Sequence, residues 1–236
     1  MSSQNKINNV TLADRIISNS HRLFDNCEAT CVLMPNHPEA WYVLIRGIQP
    51  LQTDVFDELW DDHPDERKKT AMGFENRYSQ FYTIDGVNNH FSYSGMTSVA
   101  KSITEGSVVE SFLNTTHQLM SGEDDISPIE ECHNSILVNW YDKEHTIGSH
   151  SDDERDHIRG LPIFSFSTGG TRRFVFHPVG GGGMCGEVFL NNGDLLVMGG
   201  KMQRFFKHSV PAVRKKDPET GRRINVTVRG FKTKVY

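Results

Sequence analysis

The chain has 236 residues, a formal net charge of −5 and four cysteines, Cys27, Cys31, Cys132 and Cys185. That length carries one large β-rich domain or two small ones, and the cysteines lack the spacing of a disulfide framework or a complete zinc site. No apolar run approaches the ~20 residues of a membrane span and no basic start leads into an apolar stretch, so the expectation is an intracellular protein with no membrane partner.

Residues 1–38 read as an N-terminal extension of helix and loop. Thr11 to Phe24 is expected as a short amphipathic helix with Leu12, Ile16, Ile17, Leu23 and Phe24 on one side, and Pro35 and Pro38 punctuate the chain after it. From residue 39 to 236 a single domain is expected. It opens with a strand at Trp41–Arg46 and a helix at Asp54–Trp60, where Val55, Phe56, Leu59 and Trp60 recur at helical spacing. Gln52 to Glu66 holds seven acidic residues and no lysine or arginine. Residues 67–95 change character: Arg67, Lys68, Lys69 and Arg77 are interleaved with Phe74, Tyr78, Phe81, Tyr82, Phe91 and Tyr93. Rings that stack on bases and cations that meet phosphates suit single-stranded or flipped nucleotides. The same composition also describes an aromatic hairpin whose rings fill a core. A helix from Thr104 or Glu105 to Met120 follows, then an acidic loop to Pro128.

The stretch from Asn134 to Asp156 carries the chemistry. As a strand it turns Ile136, Val138 and Trp140 one way and Leu137, Asn139 and Tyr141 the other. After a polar turn it reaches His150-Ser-Asp152, whose imidazole and carboxylate share a face in extended backbone. Two histidines and one carboxylate on one face of an octahedron form the ligand set of non-haem Fe(II) oxygenases. The rival reading is a solvated acidic turn, since Asp153, Glu154 and Asp156 follow. Pro162–Ser167, Arg172–His177 (Phe174 and Phe176 on one face), Glu187–Leu190 and Asp194–Met198 read as strands. Gly180–Gly183 lacks the Lys-Ser/Thr of a phosphate loop and reads as a hairpin tip. His208, in Lys207-His-Ser-Val-Pro211, is the candidate third ligand.

The last strand, Arg223 to Arg229, alternates strictly: Ile224, Val226 and Val228 against Arg223, Asn225, Thr227 and Arg229. Two arginines on the inward face of a barrel make a pocket for a carboxylate-bearing cofactor, with Asn139 and Tyr141 able to hydrogen-bond the same guest. The region from Lys201 to Tyr236 holds eleven lysines and arginines against Asp217 and Glu219, so a basic face is expected despite the acidic total.

Asn-x-Tyr, His-x-Asp-Asp-Glu, a distant His-Ser-x-Pro and Arg-x-Asn-x-Thr-x-Arg, in that order over roughly residues 40–234, resemble the AlkB family of 2-oxoglutarate- and Fe(II)-dependent dioxygenases, closest to its vertebrate-type DNA repair branch. The resemblance implies a mainly β fold with flanking helices (α+β), a double-stranded β-helix or jelly roll over residues 134–236, and a nucleotide-recognition lid over 67–95. It implies Fe(II) on His150, Asp152 and His208, and 2-oxoglutarate held by Arg223 with Asn139, Tyr141 and Thr227, O2 being the cosubstrate. Arg229 falls where the family places its second motif arginine, towards the iron-proximal end of the cofactor and the substrate. Tyr93 and Ser94 would face a flipped base opposite His150, Glu154 would contact its exocyclic amine, and Arg77 would belong to the lid. The wedge filling the vacated gap is either Met72 or Phe74. The implied activity is oxidative demethylation of 1-methyladenine- or 3-methylcytosine-type bases in DNA with release of formaldehyde. Two rivals are a same-fold oxygenase acting on RNA or protein, and a non-catalytic nucleic-acid-binding jelly roll. The expected state is a monomer, in the nucleus of a eukaryote and otherwise in the cytoplasm.

Overall fold

The computed structural model describes the chain except residues 1–2, 49, 72, 86, 88–89, 94–95, 123–132, 219 and 233–236, and describes the backbone alone at 3–11, 90–93 and 96–97. In chain order the elements begin with α1 (Ser3–Leu23), β1 (Glu28–Met34), β2 (His37–Arg46), α2 (Thr53–Asp61), the hairpin β3 (Lys69–Thr70) and β4 (Gly73–Phe74), and β5 (Tyr78–Thr83). A second hairpin, β6 (His90–Tyr93) and β7 (Met96–Val99), leads to β8 (Lys101–Ser102), α3 (Val108–Met120), β9 (Ser135–Tyr141) and β10 (Ile147–His150). Then come β11 (Ile163–Gly169), β12 (Arg172–Pro178), β13 (Gly186–Leu190), β14 (Asp194–Gly200), α4 (Met202–Phe205), β15 (Phe206–Val210) and β16 (Arg223–Arg229).

Among the described residues a large sheet runs in the order β1-β2-β14-β11-β16-β9-β5-β8, and a smaller one in the order β10-β15-β12-β13. Together they form the expected jelly roll. The alternation of β9 and β16 explains the layering. The two strands pair antiparallel with Asn139 opposite Asn225 and Tyr141 opposite Arg223, so their faces coincide. Ile136, Val138, Trp140, Ile224, Val226 and Val228 join one core with residues of α1, α2 and α3. The opposite face points between the sheets. Every residue of both strands is buried, because helices cover one side and the small sheet the other.

The elements differ from expectation at four places. Residues 1–38 are not helix and loop alone. β1 lies within them, pairing with β2 at the edge of the large sheet, and β2 starts at His37, so the boundary at 38 falls inside a hairpin. The exposed Glu28, Thr30 and Leu33 blur the alternation of β1, which is why it escapes a reading by pattern. Its two flanking turns use Asn26 and Asn36 at positive φ (59° and 62°), a conformation asparagine tolerates better than most residues. The first helix begins at Ser3 rather than Thr11. The helix expected from Thr104 or Glu105 starts at Val108, because the Ser107 side chain accepts from the Glu110 N–H (3.2 Å) while Glu110 Oε2 accepts from the Gly106 N–H (2.6 Å). Within the expected lid, β5 is an integral strand of the large sheet beside β9, and β3–β4 and β6–β7 are hairpins of their own.

Candidate metal centre and cofactor pocket

β10 and β15 are antiparallel neighbours in the small sheet, and their register sets His150 directly opposite His208. Asp152, two residues past His150, completes a cluster whose ligand atoms all lie within 4.8 Å of one another. The two imidazole Nε2 atoms stand 3.6 Å from Asp152 Oδ1 and Oδ2 respectively. His150 Nδ1 lies 2.9 Å from the Gly148 carbonyl, which can only accept, so Nδ1 carries the proton and Nε2 presents a lone pair to the cluster. His208 is buried against Phe174, ring stacked on ring at 5.1 Å. Burial, followed by the neighbouring His150, lowers its pKa to about 3, so at neutral pH it is an uncharged imidazole.

The carboxylate is equally constrained. Burial alone would raise its pKa, but Arg229, and after it His208 and His150, outweigh burial and hold Asp152 below the usual carboxylate range. Arg229 Nη2 donates to Asp152 Oδ1 and Nη1 to Glu154 Oε1, each at 2.6 Å. The backbone is latched as well: the Asp152 N–H donates to Gln203 Oε1 (2.9 Å) and Ser151 Oγ to the Phe206 carbonyl (3.1 Å).

This cluster opens into a cavity of about 650 Å³ between the sheets, lined in part by Asn139, Tyr141, Arg223, Asn225, Thr227 and Arg229. Arg223 is 1% exposed and, burial lowering its pKa to about 10, remains cationic at neutral pH. Its Nη2 donates to Ser167 Oγ (2.9 Å), and its guanidinium lies 5.2 Å from the Tyr141 ring centroid. Among the described residues its Nε and Nη1 have no hydrogen-bond partner. A buried fork with two idle donors is a strong driving force for a carboxylate guest. Thr227 Oγ1 donates to Asn225 Oδ1 (3.1 Å), Asn225 Nδ2 donates to Ser165 Oγ and the Phe166 carbonyl (2.9 Å each), and Asn139 Oδ1 accepts from Arg77 Nε (2.6 Å).

Arg77 thus stands in the cavity wall, buried, with Glu75 3.6 Å from its Nη2. Glu154 Oε2 is a buried acceptor with no hydrogen-bond partner among the described residues. Tyr93 belongs to β6, but its side chain lies outside the described residues, as do Ser94 and Met72 entirely. Phe74, on β4, is 63% exposed. Several residues of the site escape a reading of the sequence. Arg172 is buried, donates to the carbonyls of His145 (2.7 Å) and Pro211 (3.0 Å), and lies 5.7 Å from the Tyr141 ring. Its signal was present, since it shares the face of Phe174 at i+2. Ser167 and Gln203 carry no such signal; only the packing of distant strands brings them in.

The family model described as the 2OG-Fe(II) oxygenase superfamily matches residues 48–229. A DNA oxidative demethylase, ALKBH2 of Bos taurus, is 38% identical over 104 residues, 41% of this chain and 36% of that protein. A DNA N(6)-methyladenine demethylase, ALKBH1D of Arabidopsis thaliana, is 30% identical over 119 residues, 47% of this chain and 27% of that protein. Both matches therefore span little more than a third, or less, of the relative's length. The solved structure of OsALKBH1 superposes with a TM-score of 0.52 at 21% identity, covering 80% of this chain and 96% of that one, and shares the fold. The chain belongs to the 2OG-Fe(II) oxygenase superfamily.

Proposed function

We propose that the protein is an oxidative demethylase of N-alkylated bases in nucleic acid, DNA above all, with its Fe(II) held by His150, Asp152 and His208 and its 2-oxoglutarate by Arg223. Fe(II) and 2-oxoglutarate are the cofactors of its family. One observation carries the assignment of residues: the His–Asp–His cluster and the two idle donors of Arg223 line a single cavity. An anionic carboxylate and neutral imidazoles suit Fe(II), and a buried guanidinium fork suits the far carboxylate of a dicarboxylic acid. With both bound, O2 would be the oxidant: one of its oxygen atoms would go to succinate as 2-oxoglutarate loses CO2 and the other to the N-methyl carbon, which would then leave as formaldehyde.

The chain's own contribution is placement. Arg229 keeps Asp152 ionised and aligned, and the Gly148 carbonyl keeps the Nε2 lone pair of His150 turned inward. Glu154, anchored through Oε1, offers Oε2 to a donor such as an exocyclic amine. Tyr141 and Phe174 narrow the cavity and exclude water. The relatives named for DNA demethylation support nucleic acid as the substrate, and those named for N(6)-methyladenine add that base to the candidates.

The test is incubation with Fe(II), 2-oxoglutarate and oligonucleotides carrying 1-methyladenine, 3-methylcytosine or N6-methyladenine. DNA and RNA are compared, single- and double-stranded, with mass spectrometry of base and succinate. Methyl loss matched by succinate is the expected result, strongest on DNA. Succinate without methyl loss would move the substrate elsewhere, and no succinate at all would overturn the iron-site assignment.

A further inference from the structure

A second cavity, about 520 Å³, lies between residues 151–161 and the α4 turn with the start of β15. Ser151, Asp152, Asp153, Glu154 and Met198 line both this cavity and the first, so one loop's thickness separates it from the metal cluster. Its remaining walls carry four cations, Arg159, Lys201, Arg204 and Lys207. Arg159, Arg204 and Lys207 are exposed and Lys201 half-buried. Among the described residues none of the four forms an ion pair; Arg204 lies over the Phe205 ring at 5.4 Å. Of the three acids lining the cavity, Asp152 and Glu154 share the single positive charge of Arg229, so that with Asp153 two negative charges remain against the four positive ones.

A lone unpaired surface lysine means nothing. Four cations without an ion pair around one concavity, in a chain whose total charge is −5, concentrate positive potential there. The carboxylate cofactor is already provided for by Arg223 in the other cavity. The anion that suits this one is a repeating one, because the cations come from two separated walls, residue 159 on one and 201–207 on the other.

The geometry points to a phosphodiester-binding groove: Arg159, Lys201, Arg204 and Lys207 hold the backbone of the nucleic-acid strand beside the metal cluster, on the far side of the 151–154 loop from the cofactor pocket. This deepens the demethylase reading and rests on it for the identity of the strand. It makes substrate recognition bipartite, base in one cavity and flanking phosphates in the other, and a polymer a better substrate than a free nucleoside.

The experiment is fluorescence anisotropy of an unmodified single-stranded DNA oligonucleotide with the full chain across a series of salt concentrations. The combined variant Arg159→Ala, Lys201→Ala, Arg204→Ala, Lys207→Ala is expected to bind at least roughly tenfold more weakly at low salt. The slope of log affinity against log salt is expected to flatten by about 0.7 for each phosphate that the variant no longer neutralises. The charge-preserving pair Lys201→Arg and Lys207→Arg keeps affinity and slope, and Arg22→Ala on α1 changes neither. Should the combined variant prove too unstable to purify, the single reversal Arg204→Glu at an exposed position gives the same direction. Equal affinity and slope for wild type and variant overturn the groove, as does wild-type chain that binds no oligonucleotide or binds a polyglutamate peptide equally well. Weakened binding in the variant with no demethylation of any alkylated base by the wild type would sink the demethylase reading and leave the groove standing. Demethylation with an unaltered oligonucleotide KM in the variant would do the reverse.

Discussion

Arg223 and Arg229 sit six residues apart on the same face of one strand and face opposite kinds of partner. Arg229 spends its guanidinium on Asp152 and Glu154, and so belongs with the candidate metal cluster. Arg223 meets a serine hydroxyl and an aromatic face and keeps two donors idle. The difference sets a prediction. Arg223→Ala should raise the KM for 2-oxoglutarate roughly 10- to 100-fold, the range for losing a charge-assisted hydrogen-bonded pair, while kcat at saturating cofactor changes little. Arg223→Lys should recover only part of that, because an ammonium cannot reproduce the two-pronged geometry. Steady-state kinetics with varied 2-oxoglutarate decides it: an unchanged KM in Arg223→Ala removes the residue from the cofactor site.

At the scale of elements, close approach between neighbouring strands fixes what each position tolerates. Gly199 on β14 pairs with Trp41 on β2, and a Cβ placed on it would stand 2.1 Å from the indole Cζ2. Gly199→Ala should therefore cost roughly 3 kcal/mol, the upper range for overpacking a core. Trp41→Phe in the same chain should return part of the loss by removing the ring that is struck. Urea unfolding of the two variants measures this, and a fully stable Gly199→Ala would mean the sheet yields there. The start of β9 carries a second constraint. His133 is fully buried, donates through Nε2 to the Pro162 carbonyl (2.9 Å), and its own carbonyl lies 2.8 Å from the His117 ring of α3. Burial lowers its pKa from 6.5 to about 4. The unfolded chain then takes up the proton first as pH falls below about 6.5, so stability present at neutral pH is lost progressively towards pH 4. The full shift corresponds to about 3 kcal/mol. Urea unfolding of wild type and His133→Gln between pH 7 and pH 4 tests it, the variant showing the shallower decline; parallel declines would place the acid sensitivity elsewhere.

At the scale of the whole molecule, the two sheets contribute different halves of one site. The small sheet brings His150 and His208 together, and the large sheet brings the arginines. Ligands that bridge them stabilise the native packing in proportion to their occupancy. Fe(II) under anaerobic conditions and 2-oxoglutarate, each at about 100 times its Kd, should add about 2.7 kcal/mol apiece. In a chain of this size that raises Tm by roughly 5–10 °C per ligand. Asp152→Ala should abolish the response to metal, and its basal Tm should also fall because Arg229 loses one of its carboxylates. Thermal denaturation with each ligand separately reads this without any turnover. A metal response surviving in Asp152→Ala would show that the ion binds elsewhere.

What was legible from the residues alone is whatever depends on local periodicity. The period-2 pattern grouped Asn139 with Tyr141 on one face of β9 and Arg223 with Thr227 and Arg229 on one face of β16, and the i, i+2 spacing paired His150 with Asp152, because extended backbone sends alternate side chains to opposite sides whatever the surroundings; that the two faces coincide is the work of the β9–β16 pairing. Tertiary structure decided the rest. Only the β10–β15 register sets His208 against His150, and only the pairing of β11 with β16 brings Ser167 to Arg223. The edge strand β1 was hidden because its exposed residues need no apolar pattern, and Gln203 because a single side chain reaching across from α4 leaves no repeat to find. Short-range geometry is written in each segment, whereas contacts between segments distant in sequence exist only once the chain has closed on itself.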